Sequence, residues 1–424
     1  MRVLLISANT ETINMVPLPL GLNCVAVAVR DAGHEVKMID LMGNGDNRAV
    51  IEGAVKRLTP QVIGISVRNI DDQKMTDTKF LLDPVREAVS ICRELSCAPI
   101  VLGGAGYSIF PAEVLGYLRA DMGVRCEGEA VFPALLAAME QGRDLATIPG
   151  LSLAGDEGEP RPAVPSPLDA LPLPDPHLWH IPAGCEADLW IPFQTRRGCP
   201  MKCSYCSTPC LEGTAIRSRQ LDDVVAGLSA HVAAGFSRFY FVDNIFNVPL
   251  PYAKKLCAAI DGAGLRVQWR CILYPGQIDE ELVALMAKAG CVEVSLGFES
   301  GSPPVLRELN KKYSPSEVTA AAEMLARHGI RRMGFLLLGG PGETPATVME
   351  SLAFADTLRL DMLKLTTGIR IYPGTALEQT AVADGRIPPG SNLLFPTFYL
   401  AKGLEPWLSA TLAEWMAERP WCVT

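Results

Sequence analysis

Short apolar runs alternate with amphipathic segments along the first third of the chain. The runs, several of them β-branched, predict buried strands at 3–7, 35–39, 62–67, 100–102 and 122–124. Apolar residues spaced about 3.6 apart predict the helices between them, at 20–32, 50–58, 83–95, 111–118 and 129–139. This alternation favours a parallel sheet with helices on both faces. We therefore expect an α/β fold in which residues 1–145 form a Rossmann-like, doubly wound domain.

The pattern stops in a proline-rich stretch and then returns. Residues 146–192 are crowded with proline, which lacks an N–H and fixes φ, so we expect an extended linker without regular elements. Residues 193–385 again alternate strand and helix, in six units that fall short of an eightfold barrel. Their strands end in polar and glycine clusters, the usual location of barrel active sites. We expect residues 386–424 to cap this second domain.

Composition and charge limit the class of protein. The chain has 424 residues and a net charge of −9, so it carries no basic surplus suited to nucleic acid. No segment approaches the roughly 18 uncharged apolar residues of a membrane span. The opening nine residues are too short for a signal peptide and predict a strand instead. We expect a cytoplasmic protein whose 13 cysteines remain mostly thiols.

A cysteine loop carries the strongest chemical signal. Cys199, Cys203 and Cys206 stand at CxxxCxxC spacing, which lets a tight loop aim three sulfurs at one point. A structural zinc loop is the alternative, but zinc usually takes four protein ligands. A [4Fe–4S] cluster held by three cysteines keeps one iron open. Cys210, four residues further on, is a spare ligand or a bystander; we favour the bystander, because a fourth thiolate would close that iron.

With Tyr205 before its third cysteine, this loop resembles the cluster loop of the radical S-adenosylmethionine (radical SAM) enzymes. The six strand–helix units are similar to their partial (β/α)6 TIM barrel. The resemblance implies SAM bound at the open iron and an electron donor such as flavodoxin or ferredoxin. It also implies cofactor-binding roles along the barrel: Tyr205 by the adenine, Asp243 at the ammonium or ribose, Arg270 at the carboxylate, Glu299 at the ribose, and Gly339 and Gly340 where backbone approaches SAM.

The first domain resembles the cobalamin-binding domain that precedes the barrel in one radical SAM class. The shared pieces are Pro19-Leu20-Gly21, the Gly-His-Glu-Val of 33–36, Gly103-Gly104 and Glu127-Gly128-Glu129. The resemblance implies a cobalamin (B12) site at the strand ends: Gly21, Ser66, Asn69, Gly103, Gly104, Gly128 and Glu129. The Asp-x-His-x-x-Gly motif of many cobalamin proteins is missing from the sequence, so we expect no histidine on cobalt.

Arg68 is the candidate catalytic residue of this domain, because it directly follows the strand at 62–67. A guanidinium has no lone pair to donate. Below cobalt it would disfavour a sixth ligand and ease departure of a methyl cation. The alternative is that Arg68 pairs with Asp71 or with a cofactor amide or phosphate.

The resemblance as a whole implies a cobalamin-dependent radical SAM methyltransferase. It would methylate carbon via methylcobalamin, with SAM as methyl donor and as cluster-bound cosubstrate. The substrate would be a small molecule or a peptide. Two alternatives stay open: a related enzyme that closes or rearranges a ring without methyl transfer, and a non-catalytic cobalamin or redox sensor. The sequence leaves the substrate and the oligomeric state undetermined.

Overall fold

A computed structural model describes residues 1–12, 16–43, 45–156, 165–182, 184–185 and 189–424. The chain divides into two compact units. The first comprises Met1–Asp72 and Lys79–Pro192, and the second comprises Gln73–Thr78 and Phe193–Thr424. Pro160 and Pro162 of the proline-rich stretch lie outside the described residues.

The sheet of the first unit contains the five predicted strands and one that was not predicted. They are β1 Arg2–Ser7, β2 Glu35–Asp40, β3 Val62–Ser66, β4 Ile100–Gly103, β5 Met122–Val124 and β6 Leu151–Leu153. The order is β2-β1-β3-β4-β5-β6, parallel except for β6. The expectation that 146–192 holds no regular element is therefore wrong at β6. No proline interrupts residues 150–159, which leaves Leu151–Leu153 free to pair with β5.

Helices cover both faces of this sheet, as a doubly wound fold requires. They are α1 Leu20–Asp31, α2 Asn47–Leu58, α3 Leu82–Leu95, α4 Ala105–Ile109, α5 Pro111–Leu118 and α6 Gly128–Glu140. Helices α1 and α6 pack together, and α2 packs with α3. Leu5 and Phe132 belong to the buried apolar cluster beneath α1 and α6. The strand order reverses between β1 and β3, so the crevice beyond their carboxyl ends is the usual ligand position.

The second unit is built on a larger parallel sheet. In chain order its strands and ribbons are β7 Ile191–Phe193, β8 Arg196–Arg197, β9 Arg217–Ser218, β10 Arg238–Phe241, β11 Gln268–Leu273, β12 Cys291–Glu299, β13 Arg331–Leu338, β14 Met362–Thr367, β15 Ile369–Arg370, β16 Phe398–Tyr399 and β17 Cys422–Val423. The seven-stranded sheet has the order β17-β14-β13-β12-β11-β10-β7. Six of these strands are the predicted ones. The seventh, β17, comes from the C-terminal segment, which was expected only to cap the domain.

Helices follow the strands of the second unit: α7 Thr208–Glu212, α8 Leu221–Ala233, α9 Leu250–Gly262, α10 Glu280–Lys288, α11 Pro303–Glu308, α12 Pro315–Arg327, α13 Pro345–Thr357, α14 Ala376–Ala383 and α15 Glu405–Ala417. Ser314 and Thr344 close capping boxes at the starts of α12 and α13, which fixes the turns before them. Within the described residues, none of the helices combines the length and apolarity needed to cross a membrane.

Candidate active site

The cysteine loop leaves the second sheet through a short antiparallel ribbon of β8 and β9. Gly198 starts the loop at φ +96°, and a Cβ there would lie 2.1 Å from the carbonyl oxygen of Ala215, so only glycine fits. The N–H of Cys199 donates to Gly213 O at 3.1 Å, and that of Cys206 donates to Cys203 O at 3.3 Å. The backbone therefore folds the three cysteines into one tight turn.

The three thiols differ from Cys210 in their surroundings. Cys199 is buried and Cys203 and Cys206 are half-buried, whereas Cys210 is exposed on α7. Burial raises the pKa of the Cys199 thiol, and the nearby thiolates of Cys206 and Cys203 raise it further. The three sulfurs are thus close enough to interact.

In the described part of the chain, no three His, Cys, Asp or Glu side chains converge on a single metal ion. Three thiols in one loop are the donor set of a cluster with one open iron, in which each thiolate binds a different iron atom. Cys199, Cys203 and Cys206 are therefore the residues that would hold it.

A buried ion pair anchors the start of the loop. Arg196 Nη2 lies 2.8 Å from Asp243 Oδ2, with side chains 2% and 1% exposed. Asp243 Oδ1 also accepts the N–H groups of Thr195 and Arg196, at 2.7 and 2.9 Å. The guanidinium of Arg196 lies over the ring of Tyr252, 4.8 Å from its centroid. The carboxylate of Asp243 is thus engaged by the protein, and its role as an acceptor from SAM stays a prediction.

Glu299 ends β12 in a left-handed conformation, with φ +60°, beside a register shift between β12 and β13. Backbone strain of this kind in a non-glycine residue commonly marks a functional position. Its Oε1 lies 3.3 Å from Nζ of Lys311, and both side chains are largely buried. The same ammonium lies 5.1 Å from the ring centroid of Tyr205. The structure therefore brings two predicted residues, Tyr205 and Glu299, together at the cysteine loop.

Sequence reasoning missed Lys311. A lysine in Asn310-Lys311-Lys312 resembles a solvated turn, and only tertiary packing buries it. Burial lowers the pKa of Lys311, but the charge of Glu299 more than offsets this, so its pKa lies well above the ordinary value. Burial raises the pKa of Tyr205 well above its usual range. Lys311 is therefore held as a cation among Cys203, Tyr205 and Glu299.

Gly339 and Gly340 are organised by another residue missed from sequence, Glu343. Its Oε2 accepts the N–H of Gly339 and, at 3.0 Å, that of Gly340. Burial raises the pKa of Glu343 to about 7. A Cβ on Gly339 would lie 2.6 Å from Leu400. Packing thus explains the glycine at position 339, and Glu343 engages both N–H groups. The approach of this backbone to SAM stays a prediction.

Arg270 lies in the middle of β11. Trp269 Nε1 donates to Ala289 O at 2.7 Å, so Trp269 faces the helices and Arg270 lies on the opposite face. Its guanidinium pairs with Glu293 at 3.5 Å and lies 4.9 Å from the ring centroid of Tyr240. Burial lowers the pKa of Arg270. Its pairing with the carboxylate of SAM stays a prediction.

In the first unit, a pocket of about 260 Å³ opens at the carboxyl ends of β1 and β3. Its lining includes three of the predicted residues, Ser66, Arg68 and Asn69, together with Asn9 and Glu11. It lies at the reversal of strand order, the usual ligand position of such sheets.

The predicted glycines and Glu129 of this unit fall into separate groups. Among the described residues, no atom would lie within 4 Å of a Cβ on Gly21, at the start of α1. By contrast, a Cβ on Gly104 would lie 2.6 Å from Val67 O, and one on Gly128 would lie 2.9 Å from Val25. A Cβ on Gly103, at the end of β4, would lie 3.8 Å from Val124 O, an ordinary contact. Glu129 is buried in the first turn of α6. The pocket and Gly21 therefore offer open space at the predicted cofactor site, whereas packing explains the glycines at 104 and 128.

Two family models match the chain in separate ranges. The B12 binding domain matches residues 6–136, and the Radical SAM superfamily matches residues 194–355. The first range contains the pocket at β1 and β3, and the second contains the cysteine loop, Glu299 and Lys311.

Similar proteins cover nearly the whole chain. An uncharacterized methyltransferase of Pyrococcus horikoshii is 28% identical over 91% of this chain and 84% of its own length. The tryptophan 2-C-methyltransferase of Streptomyces laurentii is 25% identical over 89% of this chain and 74% of its own.

Solved structures of the radical SAM methyltransferase TsrM from Kitasatospora setae have a similar fold. One, with tryptophan and a SAM analogue bound, matches with a TM-score of 0.87 at 24% identity, over 98% of this chain and 89% of that chain. Another, with cobalamin and a [4Fe–4S] cluster bound, matches with a TM-score of 0.80 at 26% identity, over 89% and 75%. With a B12 binding domain and a radical SAM domain both matched, and with methyltransferases among its similar proteins, the chain belongs to the cobalamin-dependent radical SAM methyltransferase family.

Proposed function

We propose that this protein methylates a carbon atom of a small-molecule substrate, with SAM as the methyl donor. The observation that carries the proposal is the presence, in one chain, of a three-cysteine loop with Glu299 beside it and of a cofactor pocket at β1 and β3. Bound cobalamin would supply a cobalt that carries a methyl group between SAM and carbon.

In this proposal the chain's own residues position the reactants. Cys199, Cys203 and Cys206 would hold the cluster, which would supply an open iron site for SAM. Glu299 would accept hydrogen bonds from the ribose hydroxyls, because its strained, largely buried carboxylate is held in place beside the loop. Tyr205 would lie beside the adenine. An external one-electron donor, such as flavodoxin or ferredoxin, would supply the electron.

Arg68 lines the pocket with Ser66 and Asn69, and these residues would hold the cobalamin or its amides. Beside a bound cobalamin, the guanidinium of Arg68 would have no lone pair to donate to cobalt. Gly21 leaves room for the cofactor at the start of α1.

The substrate is proposed to be an aromatic or heteroaromatic small molecule, with tryptophan as the first compound to test. Support comes from the two similar proteins that act on or bind tryptophan. Other relatives carry different substrate names, among them a cytidylyl-2-hydroxyethylphosphonate methyltransferase of Streptomyces wedmorensis, 25% identical over 90% of this chain. A panel that spans both classes is therefore needed.

The test starts with anaerobic protein loaded with iron, sulfide and hydroxocobalamin. Methyl-labelled SAM and a strong reductant are added, without and with each candidate substrate. The proposal predicts label in the cobalamin fraction, release of S-adenosylhomocysteine, and label on carbon when a substrate is present. Accumulation of 5′-deoxyadenosine without any movement of label would favour ring closure or rearrangement. Cofactor binding without any SAM turnover would favour a sensor.

A further inference from the structure

The turn between α11 and α12 is packed directly against the cysteine loop. The N–H of Ser204 donates to Leu309 O at 3.2 Å, and the side-chain amide of Asn310 donates to Lys202 O. The hydroxyl of Tyr313 donates to Gly297 O of β12 at 2.7 Å. The turn is therefore fixed to the loop and, through Tyr313, to the strand that carries Glu299.

Lys311 is the one residue of this turn whose cationic side chain is directed inward. Its side chain is 7% exposed, and its ammonium lies 3.3 Å from Glu299 Oε1. Lys312, its neighbour in sequence, is exposed and bonds through its backbone to the hydroxyl of Tyr274 at 2.8 Å. Two adjacent lysines thus place one positive charge inside the site and one in solvent.

The inward charge lies at the cysteine loop. Tyr205, whose ring the ammonium of Lys311 faces, directly precedes Cys206 and lies two residues after Cys203. The contact with the ring of Tyr205, at 5.1 Å, holds the ammonium on the same side of the loop.

From this geometry we infer that Lys311 is a positioning residue that raises the reduction potential of the cluster. The inference rests on the proposed function, because it requires a cluster on Cys199, Cys203 and Cys206. On reduction the cluster gains one electron from a low-potential donor and no proton, so its net charge becomes more negative by one. A fixed cation beside a cluster thiolate stabilises the reduced form more than the oxidised form.

Burial makes this charge effective. Water and salt screen exposed charges, but they screen a buried one much less. Glu299 offsets part of the charge in the free protein, so the expected effect is moderate. We expect the ratio of reduced to oxidised cluster at a fixed applied potential to fall about tenfold without the cation, a shift of about 59 mV for one electron.

The experiment compares the reconstituted wild type with Lys311→Met, Lys311→Arg and Lys312→Met. Iron and sulfide content and circular dichroism establish that each variant holds its cluster and its fold. The midpoint potential is then measured by redox titration followed by electron paramagnetic resonance, without SAM. Lys312→Met is the matched control, since it removes the same charge one residue away.

We expect Lys311→Met to lower the midpoint potential, with Lys311→Arg and Lys312→Met close to the wild type. Equal potentials in Lys311→Met and wild type would overturn the inference, as would a shift in Lys311→Arg as large as that in Lys311→Met. If the folded wild type bound no cluster, the proposed function itself would fail, and iron analysis reveals that before any titration.

Discussion

The guanidinium of Arg196 and the carboxylate of Asp243 form an ion pair at 2.8 Å in which each side chain is at most 2% exposed. This pair joins β8, which leads into the cysteine loop, to the residues that follow β10. Asp243 also accepts the backbone N–H of Thr195. The carboxylate that was predicted to accept from SAM therefore also holds the start of the loop in place.

Replacing Asp243 by Asn should therefore lower stability rather than SAM affinity alone. Removing one partner of a buried pair leaves an uncompensated charge and costs about 3 kcal/mol of unfolding free energy. Urea unfolding of the cofactor-free protein measures this loss. Glu280→Gln breaks an exposed ion pair with Arg327, so it should shift the urea concentration at the unfolding midpoint much less than Asp243→Asn does. Unchanged stability with weaker SAM binding would assign Asp243 to the SAM site alone.

Alanine at Cys199, Cys203 or Cys206 should each abolish the cluster, whereas Cys210→Ala should retain it. The three ligands lie in one turn, and Cys210 is exposed on α7. The readout is iron per chain after anaerobic reconstitution, with about four expected in the wild type and in Cys210→Ala. Loss of iron in Cys210→Ala would make it a fourth ligand.

Glu299→Gln should weaken SAM binding to the cluster-loaded protein about tenfold. A carboxylate accepts hydrogen bonds from two hydroxyls more strongly than a neutral amide does, by about 1.4 kcal/mol. Equilibrium binding of SAM gives the dissociation constant. Glu293→Gln is the control, because Glu293 lies on the same strand but pairs with Arg270. Equal affinities in Glu299→Gln and wild type would remove Glu299 from the SAM site.

Glu343 should make stability depend on pH. Its folded pKa of about 7 lies above the ordinary 4.5, so between these values the native state holds a proton that the unfolded state has lost. The contribution of Glu343 to the free energy of unfolding is therefore greatest below about pH 4.5. It falls as the pH rises toward 7, by up to roughly 3 kcal/mol. Urea unfolding at several pH values should show this decline in the wild type and not in Glu343→Gln. A parallel decline in both would assign it to other groups.

Arg68→His should introduce a nitrogen ligand to cobalt. The wild type is expected to hold cob(II)alamin without a protein ligand, and an imidazole at position 68 can donate the lone pair that a guanidinium lacks. Electron paramagnetic resonance should then show nitrogen splitting in Arg68→His. Asn69→His, on the same pocket lining, should not show it. Identical spectra in all three proteins would place Arg68 away from cobalt.

Local signals in the sequence determined much of this protein. The spacing of apolar residues depends only on residues close together in the chain. It predicted the parallel strands of both sheets, because a buried strand requires a short apolar run whereas a helix requires apolar residues about 3.6 apart. The cysteine triad could also be predicted, because its spacing brings three sulfurs into one turn. The short edge strands β6 and β17 could not be predicted. Each has only two or three residues and becomes a strand only by pairing with a sheet edge.

Tertiary structure decided which partners the polar residues have. Asp243 and Arg270 were predicted to bind SAM, and packing also places them in ion pairs with Arg196 and Glu293 that the sequence does not predict. Lys311 and Glu343 were not predicted as site residues, but packing places them at the cysteine loop and at the Gly339-Gly340 backbone. The sequence specifies the charge of each side chain, whereas its partner and its solvation depend on segments distant in the chain.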